Sequence, residues 1–125
     1  MIIKTGDIFN QELRIVSSRA WRVNLYSNLI EYWEGNDTKP LEAGNGCVIS
    51  ILENDEENPG ITVSIIYKVD VTKVEVEDWD KYCERFERVQ KVDFDSDCVR
   101  FRDESGKRHF IWMDSVDHIH FTQEV

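Results

Sequence analysis

Three histidines near the C-terminus have the types and spacing that come closest to a chemical site. His118 and His120 are two positions apart on a predicted strand, so both side chains point to one face. His109 lies on the preceding predicted strand, and Asp114 and Asp117 are nearby. Three imidazoles with a carboxylate could hold zinc and leave one position open for an acidified water.

The apolar neighbours of these histidines favour a simpler interpretation. Ile119 and Phe121 alternate with His118 and His120, which places the histidines on the solvent face of an amphipathic strand. No third ligand has a spacing typical of zinc sites. We therefore predict no metal ion and no cofactor, and keep the three histidines, His109 included, as the alternative zinc ligands.

Carboxylates are so numerous that no pair of them marks an acid-base dyad. Such pairs work where burial or like charge separates their pKa values, and most of these residues lie in predicted turns or on polar faces. Asp93, Asp95 and Asp97 alternate along one strand into its turn, but the Gly and the distal Glu of an EF-hand calcium loop are absent. Walker A, GxGxxG, GxSxG and HExxH motifs are also absent, so we predict that the protein is not an enzyme.

The net charge restricts the class of binding partner more than it restricts the type of activity. There are 25 Asp and Glu against 15 Lys and Arg, a formal charge of −10 on 125 residues. Such a field repels polyanions and attracts basic proteins, so we predict a basic protein partner and no direct binding to nucleic acid. Ordinary solubility is the alternative explanation of the charge. Six cations could still form a local basic patch: Arg19, Arg22, Arg100, Arg102, Lys107 and Arg108.

In size, charge and aromatic content the chain is similar to small inhibitor proteins, namely immunity proteins that neutralise toxin nucleases and phage-encoded inhibitors of defence enzymes. That resemblance is one of composition. It implies a non-enzymatic acidic domain that neutralises a basic partner such as a nuclease, through a cluster of carboxylates and aromatic hot spots. The predicted contact residues are Glu53, Asp55, Glu56, Glu57, Asp93, Asp95, Asp97, Tyr26, Tyr32 and Trp33.

Two other classes of function stay open. One is a ligand-binding or regulatory β-barrel, which Trp33 and Trp112 pointing inward around a cavity would favour. The other is a phage or structural assembly protein, which stable oligomers would favour. The oligomeric state itself is not predicted.

Period-two alternation dominates the chain and predicts mainly antiparallel strands. Residues 22–26 and 29–33 form a predicted hairpin across Ser27 and Asn28, and residues 47–52 form a largely buried strand. The acidic segment 53–60 is a predicted surface turn because it ends in Pro-Gly. Later strands are predicted at 61–71, where a bulge or tight turn follows, and in a four-strand meander at 91–95, 98–102, 107–113 and 116–121.

One segment changes period. From Asp78 to Val89 the apolar residues are spaced at i, i+3, i+4, i+7 and i+10, which is typical of an amphipathic helix with Asp78 as its N-cap. The predicted fold class is therefore α+β. It consists of about 8–10 short, predominantly antiparallel strands in a curled barrel or two-layer sandwich, with one helix near 78–89.

The chain reads as a single globular domain over 1–125 with a possible internal repeat. A shift of 69 residues aligns 22–34 with 91–103, where two of 13 positions are identical and eight are similar. The alternative is that any amphipathic hairpin with a Ser-Asn or Ser-Asp turn has this pattern. No signal-like or membrane-spanning run is present and the three cysteines form no CxxC, so we predict a cytoplasmic protein, bacterial or phage-encoded, that binds no membrane.

Overall fold

A computed structural model describes residues 1–7, 13–41, 47–54, 60–68 and 82–123. These residues form twelve strands and one short 3-10 turn, Met113–Ser115. The strands of the first half are β1 (Ile2–Asp7), β2 (Leu13–Ser17), β3 (Ala20–Tyr26), β4 (Ile30–Glu34), β5 (Asp37–Pro40) and β6 (Cys47–Leu52). The strands of the second half are β7 (Ile61–Tyr67), β8 (Cys83–Val89), β9 (Lys91–Phe94), β10 (Cys98–Arg102), β11 (Arg108–Trp112) and β12 (Val116–Thr122).

The strands form two six-stranded antiparallel sheets that pack face to face. Sheet A has the order β11-β10-β9-β6-β1-β2, and sheet B has the order β5-β4-β3-β12-β7-β8. Phe94 of sheet A stacks on Phe121 of sheet B with ring centroids 5.7 Å apart, and Phe86 of sheet B meets Phe101 of sheet A at 5.0 Å. The apolar residues that alternate along each strand thus fill one core between the sheets.

The predicted helix near 78–89 is wrong, and so is the α+β fold class. Its second part is strand β8, and residues 78–81 lie outside the described residues. Phe86 pairs with Val63 and Val89 pairs with Ile61, so β8 has one residue more than β7 between these two pairs. This bulge turns two apolar residues three positions apart toward the same core, which imitates helical spacing. The described part of the chain holds no α-helix, and none there is long and apolar enough to cross a membrane.

The structure confirms several predicted strands and corrects the meander. The hairpin of β3 and β4, the buried strand β6 and the first part of the 61–71 strand are present, while residues 69–71 lie outside the described residues. Strands β9, β10 and β11 do form a meander in sheet A, but β12 crosses to sheet B and pairs with β3 and β7. Strands β1, β2 and β5 were not predicted.

The two halves of the chain, β1–β6 and β7–β12, have the same arrangement of strands. Each half gives its central meander, β3–β5 or β9–β11, to one sheet and its other three strands to the opposite sheet. The registers agree as well: Leu25 pairs with Ile30, and 69 residues later Phe94 pairs with Val99. Hairpins 22–34 and 91–103 are therefore equivalent in position. Their descent from one duplicated unit stays a prediction.

Candidate functional site

The outer face of sheet A carries an open cleft of about 1060 Å³ at its β9–β11 end. Its walls come from the corner between β8 and β9, from the outward side chains of β10 and β11, and from the turn that joins those two strands. Five cations line it, which is a third of the basic residues in this acidic chain: Arg88, Lys91, Arg100, Arg102 and Arg108.

Carboxylates in the cleft are engaged by neighbouring groups. Asp93 accepts a hydrogen bond from the Ser50 hydroxyl, and its other oxygen lies 3.7 Å from the Lys91 ammonium. Glu104 pairs with Arg88 at 3.1 Å. These contacts leave the acids little capacity to neutralise further cations.

Asp103 organises the turn between β10 and β11. One of its oxygens accepts hydrogen bonds from the Ser105 amide, the Ser105 hydroxyl and the Lys107 amide, and the other lies 2.8 Å from Nε2 of His109. The hydrogen bonds from His109 and Ser105 hold the pKa of Asp103 well below its usual range. This carboxylate therefore stays ionised and fixes one wall of the cleft.

Arg102 and Arg108 are the cations of the cleft without a carboxylate partner. They are cross-strand partners in β10 and β11, and within the described residues neither forms an ion pair. Arg100, one row along, lies 3.4 Å from Asp95. The aromatic ring of Phe110 lies opposite Arg100 and is 56% exposed. The free charge of the cleft is therefore positive although the protein is strongly negative.

The outer face of sheet B carries a closed polar network around Asn24. The amide oxygen of Asn24, a residue only 5% exposed, lies 2.6 Å from Nδ1 of His120 and 2.9 Å from Nε of Arg22, and its amide nitrogen donates to Tyr26 at 3.3 Å. Burial, with Arg22 and His118 nearby, lowers the pKa of His120 to about 4. The imidazole is therefore neutral at pH 7, and its Nδ1 contacts both the Asn24 amide oxygen and, at 3.3 Å, the Arg22 guanidinium.

The alternative zinc ligands are not brought together. His118 and His120 lie on the outer face of sheet B with ring centroids 4.6 Å apart, and His118 contacts Asp117 at 2.6 Å. His109 belongs to sheet A, where its ring is 4.5 Å from that of Phe86. In the part of the chain that the structure describes, no group of three His, Cys, Asp or Glu side chains could hold a metal ion.

The predicted acidic contact residues have different roles. Asp55, Glu56 and Glu57 lie outside the described residues, whereas Glu53 and Asp93 line the cleft. Asp97 is exposed at the turn after β9.

Asp95 holds that same turn together. One of its oxygens accepts hydrogen bonds from the amides of Asp97 at 2.8 Å and Cys98 at 3.0 Å. Burial opposes ionisation of Asp95, but these bonds and Arg100 together lower its pKa. Asp95 therefore stabilises the β9–β10 turn, whatever else it contacts.

The predicted aromatic contact residues lie on the other side of the molecule. Tyr32 is 7% exposed and belongs to the core, so a partner could not reach its ring. Tyr26 and Trp33 face outward from sheet B, where the Arg22 guanidinium lies 5.8 Å from the centroid of the Trp33 ring. The acids of the cleft and these aromatics therefore do not form one continuous surface.

Sequence reasoning missed the cleft and its aromatic wall. The basic patch named from the sequence contains Arg100, Arg102 and Arg108, which do converge, but also Arg22, which lies on sheet B. The signal for the missed aromatics is the alternation through β11, which turns Phe110 and Trp112 outward with Arg108. No protein-family model, curated protein or solved structure matches the chain.

Proposed function

We propose that the protein is a non-enzymatic acidic domain that inhibits or neutralises a basic protein partner, such as a toxin nuclease or a defence nuclease. The placement of the charge carries this proposal. The described residues hold 14 acidic and 13 basic side chains, whereas residues 55–59 and 69–81 hold eight acidic and two basic ones. These two segments thus carry six of the ten excess negative charges, and a negative charge concentrated in this way attracts a basic partner.

The two-sheet architecture suits this role. A sandwich with a continuous apolar core holds the backbone of its strands in place, and a preorganised backbone loses less entropy on binding. The proposed contact residues are the acidic cluster 55–57 with Asp95 and Asp97, because Glu53 and Asp93 line the cleft, Tyr26 and Trp33 lie on the other sheet, and Tyr32 is buried. Because Cys47, Cys83 and Cys98 are all free, a reducing cytoplasm is the proposed compartment.

The alternative of a ligand-binding β-barrel would be favoured if Trp33 and Trp112 pointed inward around a cavity, and they do not. Trp33 faces outward from sheet B, and Trp112, which is 63% exposed, faces outward from sheet A. The two rings therefore do not line one cavity.

The proposal is tested by reversing the charge of the acidic cluster 55–57. The triple variant D55K/E56K/E57K is compared with D37K/E87K/D114K, which changes the net charge equally at exposed positions elsewhere. Affinity capture from a host lysate supplies a basic candidate, and its association rate is measured at 50 and 300 mM salt. We expect the 55–57 variant to associate at least about tenfold more slowly with a weaker salt dependence, and the control to change less.

The inhibitory part is tested in the same preparation. Adding the purified wild-type protein should reduce the nuclease activity of the captured partner, and the 55–57 variant should do so only at higher concentration. Equal association rates for the two variants would contradict the site. A captured partner whose activity is unchanged at saturation would contradict the inhibitory function.

A further inference from the structure

We propose that the cleft of sheet A binds a small phosphorylated ligand of the nucleotide class, with Arg102 and Arg108 on its phosphates and Phe110 against its ring. This site goes beyond protein binding. It would be present whether or not a basic partner is bound elsewhere.

The arginine pair is the first observation. Directly opposed residues of an antiparallel pair have Cβ atoms about 4.5–5.5 Å apart, and Arg102 and Arg108 are such partners on the outer face. Like charges in this position destabilise a sheet unless an anion lies between them. Two guanidinium groups on directly opposed residues of one cleft suit a di- or triphosphate, which offers several oxygens for bidentate hydrogen bonds.

The acids of the cleft cannot take the place of that anion. Asp93 is held by Ser50 and Lys91, Asp103 by its turn and His109, and Glu104 by Arg88. Glu53 is likewise engaged. The two arginines are therefore the part of the cleft that an external anion can bind.

The fold itself does not require this arginine pair. At the equivalent row of the first half, Trp33 pairs with Thr38 where the second half has Arg102 and Arg108. The same strand geometry thus forms with no cation at either of these two positions. The arginines are consequently a property of the cleft and not of the sandwich.

Phe110 indicates the class of ligand. It lies two residues from Arg108 on the same face of β11, a separation of about 6.5–7 Å along a strand. An exposed ring beside a phosphate-binding pair is suited to stacking on a base. A cleft of about 1060 Å³ accommodates a mononucleotide, and a net charge of −10 disfavours a long polyanion.

The test uses calorimetry on the full chain with ADP, inorganic pyrophosphate and a 12-residue oligo-dT as probes. We expect ADP and pyrophosphate to bind, and Arg102→Ala and Arg108→Ala each to weaken both by about tenfold or more. Lys107→Ala is the matched control, because it removes an exposed cation adjacent to Arg108 that does not line the cleft. Its affinity should stay within about twofold of the wild type.

The Phe110→Ala variant tests the contribution of the Phe110 ring separately from that of the phosphate contacts. It should weaken ADP about fivefold or more and leave pyrophosphate unchanged. Thermal unfolding without ligand should show Arg102→Ala to be as stable as the wild type, since an opposed like charge is removed.

Three results would overturn the proposal. The first is no binding of ADP or pyrophosphate to the folded wild type. The second is a loss of affinity with Lys107→Ala equal to that with Arg102→Ala or Arg108→Ala, which would indicate unspecific electrostatic attraction. The third is tighter binding of oligo-dT than of ADP with the same arginine dependence, which would make the cleft a nucleic-acid site.

Discussion

The middle rows of the two outer faces have the same geometry and different chemistry. Each row runs across one sheet through residues that pair in register. The two rows are equivalent because each half of the chain gives three strands to each sheet in the same arrangement. In sheet A the row is Ile15, Lys4, Ser50, Asp93, Arg100 and Phe110. In sheet B the row is Arg85, Ser64, His120, Asn24, Glu31 and Pro40.

The side chains of the inward-facing rows differ much less in type between the two sheets. Leu25 and Ile30 of the first half correspond to Phe94 and Val99 of the second, and all four are apolar. Burial between the sheets thus constrains the inward positions to one kind of side chain, whereas outward positions differ even in the sign of their charge, as Glu31 and Arg100 show. The comparison teaches that the fold depends on the inward rows and that the outward rows are free to differ in chemistry.

The largest expected effect tests whether the inward rows determine stability. Phe121→Ala removes a fully buried ring that stacks on Phe94, and we expect the free energy of unfolding to fall by about 3–5 kcal/mol. Phe110→Ala removes the same ring from an exposed outward position and should cost about 0.5 kcal/mol or less. Urea denaturation at pH 7 measures both. A similar loss in the two variants would break the distinction between inward and outward rows.

The second effect concerns the corner where the chain passes from sheet B to sheet A. In the second half this corner contains Arg88 at φ 58°, and Arg19 at the equivalent place has no positive φ. Gly60, at φ 73°, packs so closely that a Cβ would lie 2.4 Å from the Cα of Arg88. Gly60→Ala should therefore cost about 3 kcal/mol or more, from backbone strain and overpacking together.

Gly106→Ala is the control for the Gly60 variant. Gly106 has a φ of 90°, but a Cβ there would meet no atom within 4 Å, so only the strain of about 1–2 kcal/mol applies. Urea denaturation of both variants measures the difference between their free energies of unfolding. If Gly60→Ala lowers the free energy of unfolding no more than Gly106→Ala does, then close packing between Gly60 and Arg88 does not add to the cost at this corner.

The corner between β8 and β9 also explains why the sequence-based prediction of a helix near 78–89 failed. The spacing of Phe86 and Val89 predicts a helix because helices place residues three apart on one face. In the structure the same result comes from a bulge against β7, which depends on Val63 and Ile61, more than 20 residues away. Local periodicity cannot reveal a partner strand at that distance, so tertiary pairing overrode the pattern.

Alternation predicted eight of the twelve strands but not the sheets to which they belong. Hairpins 22–34 and 91–103 could be read from the sequence because a Ser-Asn or Ser-Asp turn separates two alternating runs. The crossing of β12 to sheet B could not, since only the 3-10 turn Met113–Ser115 separates it from β11. For the same reason Arg102 and Arg108 could be named as a basic patch, while their cleft required the register of β10 and β11.

A third prediction compares Asn24 with Asp93, its equivalent in the second half. Asn24→Ala should cost about 1–3 kcal/mol, because a nearly buried amide is lost together with its contacts to His120 and Arg22. Asp93→Ala should cost less, about 1 kcal/mol, because that carboxylate is 35% exposed and only the buried Ser50 hydroxyl loses its acceptor. Chemical denaturation gives both values. A larger loss for Asp93→Ala would mean that sheet A, and not sheet B, holds the structural network.

The smallest expected effect is a pH dependence from the middle row of sheet B, which has His120 where the row of sheet A has Ser50. An unfolded histidine has a pKa of about 6.5, and burial, with Arg22 and His118 nearby, lowers the pKa of folded His120 to about 4. Between these values the unfolded chain binds more protons, so stability is full above pH 6.5 and declines as the pH falls toward 4. Asp103, whose pKa is depressed, loses its contribution only below about pH 4, so the two windows are separate. His120→Gln should flatten the slope between pH 6.5 and 4, and a ring resonance of His120 that titrates near 6.5 in the folded protein would contradict the prediction.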